Sequence, residues 1–314
     1  MNLQNDKKTR KNPQGKVLSV YIKQEGALHM MLLFPVLFTF VYRYIPMAGI
    51  VLAFKTYKAR FGIFGSPWAG LENFRILFSM PGFLDSIRNT IVISVLKIVI
   101  GIAVPVIFAL MLNEVNKLRL KKIIQTIVYM PYFISWVLMA GIIIKMMAQY
   151  GVINQVLGYF GIEPIIFLAD KEKFPYIVVI SDVWKGFGYT SIVYLAAITG
   201  IDPNLYEAAE IDGAGRWRQT LHITLPGMIP VIILMAALAL GRILDAGFDQ
   251  IFNLYSPVVY KTGDILDTFI YRMAFQNSQF SISTAAGLFK SLVGCILIVI
   301  SYRFAYKISG YQIF

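Results

Sequence analysis

Cysteine and histidine are nearly absent from this chain. Cys295 is the only cysteine, so no disulfide can form within the chain. The two histidines, His29 and His222, lie far apart in the sequence, and no cysteine or carboxylate cluster stands beside either. Protein metal sites need several such ligands close together. A metal site is therefore not expected.

Three patterns that carry enzyme chemistry are also missing. The sequence has no G-x-x-x-x-G-K-[ST] loop for cradling phosphates, no G-x-S-x-G elbow and no H-E-x-x-H helix. The chain is therefore not expected to be an enzyme or to bind ATP itself. Any work that it does on a solute must draw on an ion gradient or on another subunit.

Charge is sparse and apolar residues dominate. Only 15% of residues are charged and 57% are hydrophobic, whereas about a quarter of the residues in an average soluble domain are charged. A helix needs ~20 mainly apolar residues to cross a bilayer. Continuous runs of this length exclude the short alternating strands of a membrane β-barrel. The sequence predicts an all-α membrane protein with six transmembrane helices, at Leu28–Met47, Asn89–Leu112, Ile124–Met147, Tyr176–Ile198, Met228–Leu244 and Thr284–Tyr306.

Lysine and arginine predict the orientation. They are concentrated before the first predicted span and in the short loop between the second and third, at residues 117–122. Cytoplasmic loops carry such an excess, so both segments and both termini are expected in the cytoplasm. The net charge of +12 then reflects topology, and nucleic acid is not an expected partner. The predicted organisation is a basic leader at residues 1–27 and a six-span domain at 28–314.

The loop at residues 202–226, between the fourth and fifth predicted spans, is polar and carries helix signals. Asp202 can cap free amides, and Pro203 suits a first helical turn. Gly213 and Gly215 should end that helix or turn the chain sharply. A second short amphipathic helix is predicted around Trp217–Ile223. By itself, this arrangement also fits an ordinary connector on the membrane surface.

The residue pattern of this loop favours a more specific interpretation. Glu207-Ala208-Ala209 is followed by Gly213 and then, after nine residues, by Ile223-x-Leu225-Pro226. This pattern resembles the EAA loop of ABC importer permeases. The segments "DVWKGFGYTSIVYLAAITGIDPNLYEAA" and "FDQIFNLYSPVVY" resemble the carbohydrate-uptake branch, and "YIPMAGIVLAFKTY" and "MPYFISWV" resemble the subgroup for oligosaccharides and polysaccharide fragments. The resemblance covers roughly residues 28–308.

The resemblance implies a function and a set of partners. The chain would be the permease subunit of a binding-protein-dependent importer in the bacterial cytoplasmic membrane. It would pair with a second homologous permease, two ATP-binding cassette subunits and an extracytoplasmic solute-binding protein. ATP and Mg would be bound by the partner ATPases, with no cofactor on this chain. The ATPase-coupling contact would comprise Glu207, Ala208, Ala209, Asp212 and Gly213.

Candidate residues for the substrate pathway come from the helices that flank the loop. Charged side chains inside spans are costly and usually face a partner or a water-filled path. Asp182 with Lys185, and Arg242 with Asp245, are three residues apart, and each could form an ion pair on one helix face. Alternatively, Lys185 and Arg242 line the pathway, which would favour an acidic sugar such as a uronate oligosaccharide.

Uncharged residues of the fourth span are further candidates. Gly186 and Gly188 can kink a helix or admit a close neighbour. The resemblance places a sugar-stacking tyrosine and a nearby glycine in this region, which would be Tyr189 and Gly186. Tyr194 is a further candidate, although aromatic side chains in spans commonly serve packing. Aromatic residues of the external loops, including Trp68, Phe74, Phe252 and Tyr255, would meet the binding protein or sit at the membrane interface.

Two other functions stay open. An ion-gradient-driven secondary transporter would fit the spans and their charges, but it leaves the EAA pattern unexplained. An ABC permease for another solute, such as amino acids or phosphate, would lack the segments typical of sugar permeases.

Overall fold

The protein is helical throughout the part that the structure describes. A computed structural model describes residue 26 and residues 28–309, with side chains to residue 303. No β-strand occurs in these residues, and two isolated bridges, Lys55 to Trp68 and Lys58 to Gly62, are their only β-type pairings. The predicted all-α class is confirmed. The leader at 1–27 lies outside the described residues except for residue 26.

The chain divides into two compact units, Met1–Val51 and Leu52–Phe314, and each is described by itself. The main helices, in chain order, are α1 (Leu28–Phe54), α2 (Glu72–Ser79), α3 (Pro81–Asn113), α4 (Leu118–Phe133), α5 (Trp136–Met146), α6 (Val152–Tyr159), α7 (Phe174–Thr199), α8 (Pro203–Ile211), α9 (Arg216–Leu240), α10 (Phe248–Leu254), α11 (Leu266–Tyr271) and α12 (Phe280–Ser309).

Four of these helices are long and apolar enough to cross a membrane: α1, α3, α9 and α12. The α4–α5 pair gives a fifth if it forms one bent span. The remaining predicted span lies on α7, which has 26 residues but does not reach the same apolar character. The charged residues Asp182 and Lys185, together with several glycines and hydroxyl-bearing residues, lower the mean hydropathy of α7. Length and composition in the described residues thus account for four or five of the six predicted spans.

The third predicted span, Ile124–Met147, is not one straight helix as the sequence suggested. It breaks between Phe133 and Trp136, and the two pieces meet at 102°. Pro131 lies in the tight last turn of α4, and Ser135 starts α5 by accepting a hydrogen bond from the Leu138 amide at 3.4 Å. Proline and a new N-cap within five residues explain the break.

The fifth predicted span, Met228–Leu244, is shifted. Helix α9 begins at Arg216, so the predicted amphipathic piece is its first two turns, including a π-helical turn at Thr220–Thr224. It ends at Leu240, and a turn leads to Gly247, whose φ of +96° suits only glycine.

Helix α3 is central to the second unit. Its Ile93 packs with α5, α7 and α10, its Phe83 with α2, α11 and α12, and its Val106 with α7 and α9. Helix α3 packs along α7, and these two helices carry several of the candidate site residues.

Candidate functional site

Helix α8 forms as the loop sequence predicts. Asp202 accepts a hydrogen bond from the Asn204 amide at 3.0 Å, and Pro203 occupies the first turn. The helix stops at Gly213, whose φ of +75° is left-handed and whose amide donates to the Glu210 carbonyl at 3.0 Å. A glycine in this conformation is a common helix end. The cap and the turn set both ends of the predicted coupling helix.

The predicted coupling residues lie on an open surface. Glu207, Ala208, Asp212 and Gly213 are exposed, and Ala209 is half-buried. Two large apolar side chains accompany them, Ile211 at 88% exposed and Trp217 at 72% exposed. Apolar side chains this exposed beside small alanines give another surface both area and close access to the backbone.

The other side of α8 rests on α9. The Tyr206 hydroxyl lies 2.9 Å from the Thr224 hydroxyl, and Thr224 is buried. Just before α8, Ile201 packs against Gly227 of α9. A Cβ atom added to Gly227 would lie only 2.7 Å from Ile201 Cδ1. Helix α8 is therefore attached to the start of the next long helix at two places.

A cavity of about 300 Å³ lies among α3, α7, α9 and the turn after α9. Of the predicted pathway residues, Arg242 and Tyr194 line it, whereas Lys185, Gly186 and Tyr189 do not. Its lining includes Ser94, Lys97, Gly101, Asp182, Thr190, Tyr194, Met235, Arg242, Asp245 and Gly247. The predicted pathway residues therefore fall into two groups, one at the cavity and one outside it.

Both carboxylates of the cavity are paired with lysines. Asp182 lies 3.3 Å from Lys97 Nζ, and Asp245 lies 3.0 Å from Lys290 Nζ. The ion pairs that the sequence offered as one alternative, Asp182–Lys185 and Arg242–Asp245, are therefore not formed. The partners come from other helices instead, because the half-buried side chains of Lys97 in α3 and Lys290 in α12 lie beside these carboxylates.

Arg242 differs from the other charged groups of the cavity. Among the described residues it forms no ion pair, and its side chain is exposed. Two hydroxyls of the cavity lining also lack a hydrogen-bond partner within the described part of the chain, those of Ser94 and Tyr194. Both hydroxyls are buried, whereas the Arg242 guanidinium is open to a ligand that carries a carboxylate.

Lys97 also holds the turn after α9. Its Nζ donates to the Ala246 carbonyl at 2.8 Å and to Gln250 Oε1 at 2.5 Å. Gln250 in turn donates to the Val178 carbonyl at 2.7 Å and to the Ser181 hydroxyl. These bonds connect α3, α7 and α10 to the turn after α9. They therefore fix the position of the cavity wall next to Asp245.

Lys185 and Tyr189 lie at the break between α4 and α5. Lys185 Nζ donates to the Tyr132 carbonyl at 2.7 Å and lies over the Tyr132 and Trp136 rings, 5.2 and 5.4 Å from their centroids. The Tyr189 ring stacks on Tyr132 at 3.9 Å. Tyr189 is still 42% exposed, so one ring face is already occupied while part of the side chain stays open.

The two glycines of α7 have different surroundings. A Cβ at Gly188 would lie 2.4 Å from the Val128 carbonyl oxygen, whereas one at Gly186 would meet nothing within 4 Å. The close approach that the sequence suggested therefore occurs at Gly188, where α4 crosses α7. Gly186 faces open space.

The segment between α9 and α12 contains a buried ion pair. Arg272 lies 2.5 Å from Asp264 Oδ2, and Thr268 donates to the other carboxylate oxygen at 2.7 Å. Burial raises the pKa of Asp264, although Arg272 and Thr268 oppose that shift. From α3, Asn89 donates to the Asp264 backbone carbonyl at 3.0 Å, which fixes the segment against that helix.

The external aromatic residues have mixed surroundings. Trp68 is 67% exposed, with its ring stacked 6.0 Å from that of Phe54. Tyr255 is half-buried. Burial, with Tyr260 and Asp264 nearby, raises the pKa of Tyr255 to about 12. Trp68 is therefore open to contact, whereas Tyr255 is part of the packed segment.

The sequence pattern of one protein family matches most of the framework just described. The family is the binding-protein-dependent transport system inner membrane component, and the match covers residues 101–308. The chain belongs to this family. The match includes the α8 loop, α9 and most of the cavity lining, and it confirms the resemblance to importer permeases drawn from the loop. The permease is a multi-pass membrane protein.

Relatives and solved structures agree with this assignment. The permease is 40% identical over 298 residues to the polygalacturonan/rhamnogalacturonan transport system permease protein YteP of Bacillus subtilis, covering 95% of this chain and 93% of that protein. A chain in the crystal structure of a bacterial ABC transporter involved in import of the acidic polysaccharide alginate superposes with a TM-score of 0.86. It is 38% identical, and the match covers 93% of this chain and 99% of that one.

A second structure shows the alginate transporter in complex with a periplasmic protein that holds an alginate pentasaccharide. It matches with a TM-score of 0.85 and 38% identity, covering 93% of this chain and 98% of that chain. The permease is thus a carbohydrate-uptake ABC permease of the oligosaccharide subgroup.

Sequence reasoning missed part of the cavity. Ser94 and Thr190 were not among the predicted site residues, and Lys97 was noted only as a charge within a span. One signal was available for Ser94, because it lies one helical turn before Lys97 and so shares its face. No comparable signal pointed to Thr190.

Proposed function

We propose that this permease moves acidic oligosaccharides into the cytoplasm, driven by ATP hydrolysed on partner subunits. It would form the pore with a second, homologous permease. Two ATP-binding cassette subunits would bind ATP and Mg, and an extracytoplasmic solute-binding protein would deliver the sugar. The chain itself would bind no cofactor and catalyse no reaction.

The observation that carries the proposal is the arrangement of α8. Its outer face is open and contains the predicted coupling residues, while Tyr206 attaches its inner face to Thr224 of α9. A docked ATPase could move α8, and α9 extends from there to Leu240, where the turn that contains Arg242 begins at the cavity. Rigid helices passing motion from a docked partner to a pore is a known route to alternating access.

The orientation follows from the same proposal. Helix α8 would lie at the cytoplasmic face, and both termini would be cytoplasmic, with six crossings in residues 28–314. The α4–α5 pair and α7 would then supply the third and fourth crossings. The segments around α2 and α10–α11 would face the solute-binding protein.

The substrate class is proposed from charge. Asp182 is paired with Lys97, and Asp245 shares Lys290 with Asp267, whereas Arg242 has no ion pair among the described residues and would bind a carboxylate of the sugar. The transporter with the superposing chain imports an acidic polysaccharide, and a galacturonan, the substrate named for the similar Bacillus permease, is also a chain of uronic acids. Tyr194 would lie behind the cavity wall, with Gly186, Lys185 and Tyr189 elsewhere along the path.

The decisive experiment measures ATPase activity of the reconstituted complex with its solute-binding protein. Galacturonate and galactose oligosaccharides of equal length are compared. Stimulation by the galacturonate series alone supports an acidic-sugar importer, and stimulation by the galactose series alone rejects the acidic class. Sugar movement driven by an ion gradient without any ATPase would reject the importer in favour of a secondary transporter.

The coupling surface has its own test. Glu207→Lys reverses a charge on the exposed face of α8, and Gly213→Pro is incompatible with a φ of +75°. Both variants should lose sugar uptake while the membrane helices stay folded. Wild-type uptake in both would reject the coupling role of these residues.

A further inference from the structure

The contact between Tyr206 and Thr224 joins the inner face of α8 to α9, in addition to the short chain connection at residues 212–215. Within the described residues, no other hydrogen bond joins side chains of these two helices. Its oxygen atoms are 2.9 Å apart, and Thr224 is 3% exposed in a stretch where most neighbours are exposed or half-buried. The Thr224 hydroxyl is buried and the Tyr206 side chain is half-buried, so the contact satisfies a buried polar group and favours this one position of α8.

Thr224 occupies a special place in α9. It is the last residue of the π-helical turn Thr220–Thr224, where the Leu225 amide donates to the Thr220 carbonyl. A π turn holds one extra residue within otherwise regular helix, and such turns occur often at functional sites. Each helical residue corresponds to a rotation of about 100°. Moving the π turn by one residue would therefore turn the Thr224 hydroxyl away from Tyr206.

The linker before α8 restricts the motion further. Ile201 fills the space beside Gly227, just beyond the π turn. Two side-chain contacts therefore reach this part of α9, that of Tyr206 at residue 224 and that of Ile201 at residue 227. A displacement of α8 reaches the first turn of α9 through the chain connection at residues 212–215, and it reaches the π turn and the turn after it through Tyr206 and Ile201. Of these two side-chain contacts, only that of Tyr206 is a hydrogen bond.

We propose that Tyr206 is a positioning residue for coupling, because its hydroxyl contact with Thr224 transmits displacement of α8 to the π turn of α9. This inference rests on the proposed importer function and deepens it. The exposed face of α8 would bind the motor, and the Tyr206 hydroxyl on the opposite face would pass the movement on. Loss of this contact leaves α8 able to bind a motor but less able to move the pore.

The test uses the full reconstituted complex with its solute-binding protein and a galacturonate tetrasaccharide as the probe. Tyr206→Phe and Thr224→Val each remove one hydroxyl while keeping the side-chain volume. Thr224→Ser keeps the hydroxyl and serves as the conservative rescue. Thr220→Val is the matched control, since the Thr220 hydroxyl donates only to the Arg216 carbonyl of its own helix. The quantity measured is ATP hydrolysed per tetrasaccharide imported.

The expected result is a rise in that ratio of roughly two- to tenfold in Tyr206→Phe and in Thr224→Val, the factor that corresponds to one net hydrogen bond. The double variant should resemble either single variant, because both remove the same contact. Thr224→Ser and Thr220→Val should keep the wild-type ratio. A change in packing alone would alter expression or melting temperature without altering the ratio.

Two outcomes overturn the inference, and they are distinguishable. If the wild-type complex couples ATP to import and the ratio is unchanged in Tyr206→Phe and Thr224→Val, the inference fails and the importer function stands. If the wild-type chain moves the tetrasaccharide without ATP, the importer function fails and the inference falls with it.

Discussion

Lys97 Nζ lies 3.3 Å from the Asp182 carboxylate and joins α3 to α7 beside the cavity. The side chain of Lys97 is 10% exposed and that of Asp182 is 37% exposed. Lys97 also donates to the Ala246 carbonyl, so one ammonium group fixes a helix pair and the turn that follows α9. An ammonium group this enclosed needs its acceptors, because removing one partner of a buried pair leaves the other uncompensated.

Lys97→Met should therefore destabilise the protein by about 1–3 kcal/mol, because the Ala246 carbonyl and Gln250 lose a charged donor. Asp182 also loses its cation, but its side chain is 37% exposed and stays partly solvated. The double variant Lys97→Met/Asp182→Leu should recover part of that loss. The measurement is the melting temperature in detergent micelles. A double variant that melts no higher than the single variant would show that the Ala246 and Gln250 contacts of Lys97, and not its charge pairing, matter for stability.

Arg242→Gln should change substrate selectivity. The loss of a charged hydrogen bond costs about 1.5–3 kcal/mol, so half-maximal ATPase stimulation by galacturonate oligosaccharides should need roughly 10- to 100-fold more ligand. Lys145→Gln is the matched control, because Lys145 is likewise an exposed cation at the end of an apolar helix but does not line the cavity. Equal effects of the two substitutions would indicate a general loss of positive charge, not a site at Arg242.

Gly188→Ala should destabilise the protein by about 1–3 kcal/mol, because the added methyl group would overlap the Val128 carbonyl. Gly186→Ala, two residues earlier on the same helix, has open space and should melt at or above the wild-type temperature. Melting temperatures of the two purified variants make the comparison. If Gly186→Ala is stable but slow in sugar uptake, its place on the substrate path gains support.

Arg272→Met should lower stability in a pH-dependent way. Burial already raises the pKa of Asp264 with Arg272 present, and removing the guanidinium should raise that pKa further. A carboxyl with a raised pKa in the folded state binds protons more tightly there than in the unfolded state. The free energy of unfolding of the variant should therefore fall as pH rises above the ordinary carboxyl range.

The experiment compares melting temperatures between pH 4 and pH 8. The deficit of Arg272→Met relative to wild type should be smallest at pH 4 and largest at pH 8. Arg216→Met is the control, because the Arg216–Glu114 pair at 3.5 Å is exposed and such pairs contribute little. A deficit independent of pH would mean that Asp264 does not change its protonation in the variant.

Tyr255 should make the protein sensitive to alkali. Burial raises its pKa to about 12 from the ordinary value of 10.0, so between these pH values the unfolded chain loses this proton and the folded chain keeps it. Stability should fall across that interval, and Tyr255→Phe should fall less steeply. Chemical unfolding at several pH values from 9 to 12 measures the slope. Parallel slopes would mean that the phenol ionises equally in both states.

Local signals in the sequence predicted the α8 region well. Asp202 caps the helix through a bond to a residue two positions away, and Gly213 ends it through a bond to a residue three positions away. Both features occur as predicted. Helix capping is governed by such short-range bonds, so one sequence is enough to recognise it. The apolar runs likewise predicted the helical class, because bilayer length leaves few alternatives.

Contacts between helices were not predictable in the same way. Asp182 could pair with Lys185 on its own helix, yet Lys97 of α3 is the partner, and nothing in the local sequence gives the rotation of one helix against another. Similarly, Gly186 and Gly188 look equivalent in the sequence. Only the crossing of α4 distinguishes them. The cavity depends on these rotations, which is why only part of its lining was predicted.

The broken α4–α5 pair gives Lys185 a role that its charge alone does not suggest. A helix that stops within an apolar layer leaves carbonyl groups without donors, and Lys185 donates to one of them, that of Tyr132. The kink and the lysine would then be inherited together. Among homologues, a chain that straightens this bend should be free to replace the lysine with an apolar residue, and a chain that keeps the bend should retain a donor there.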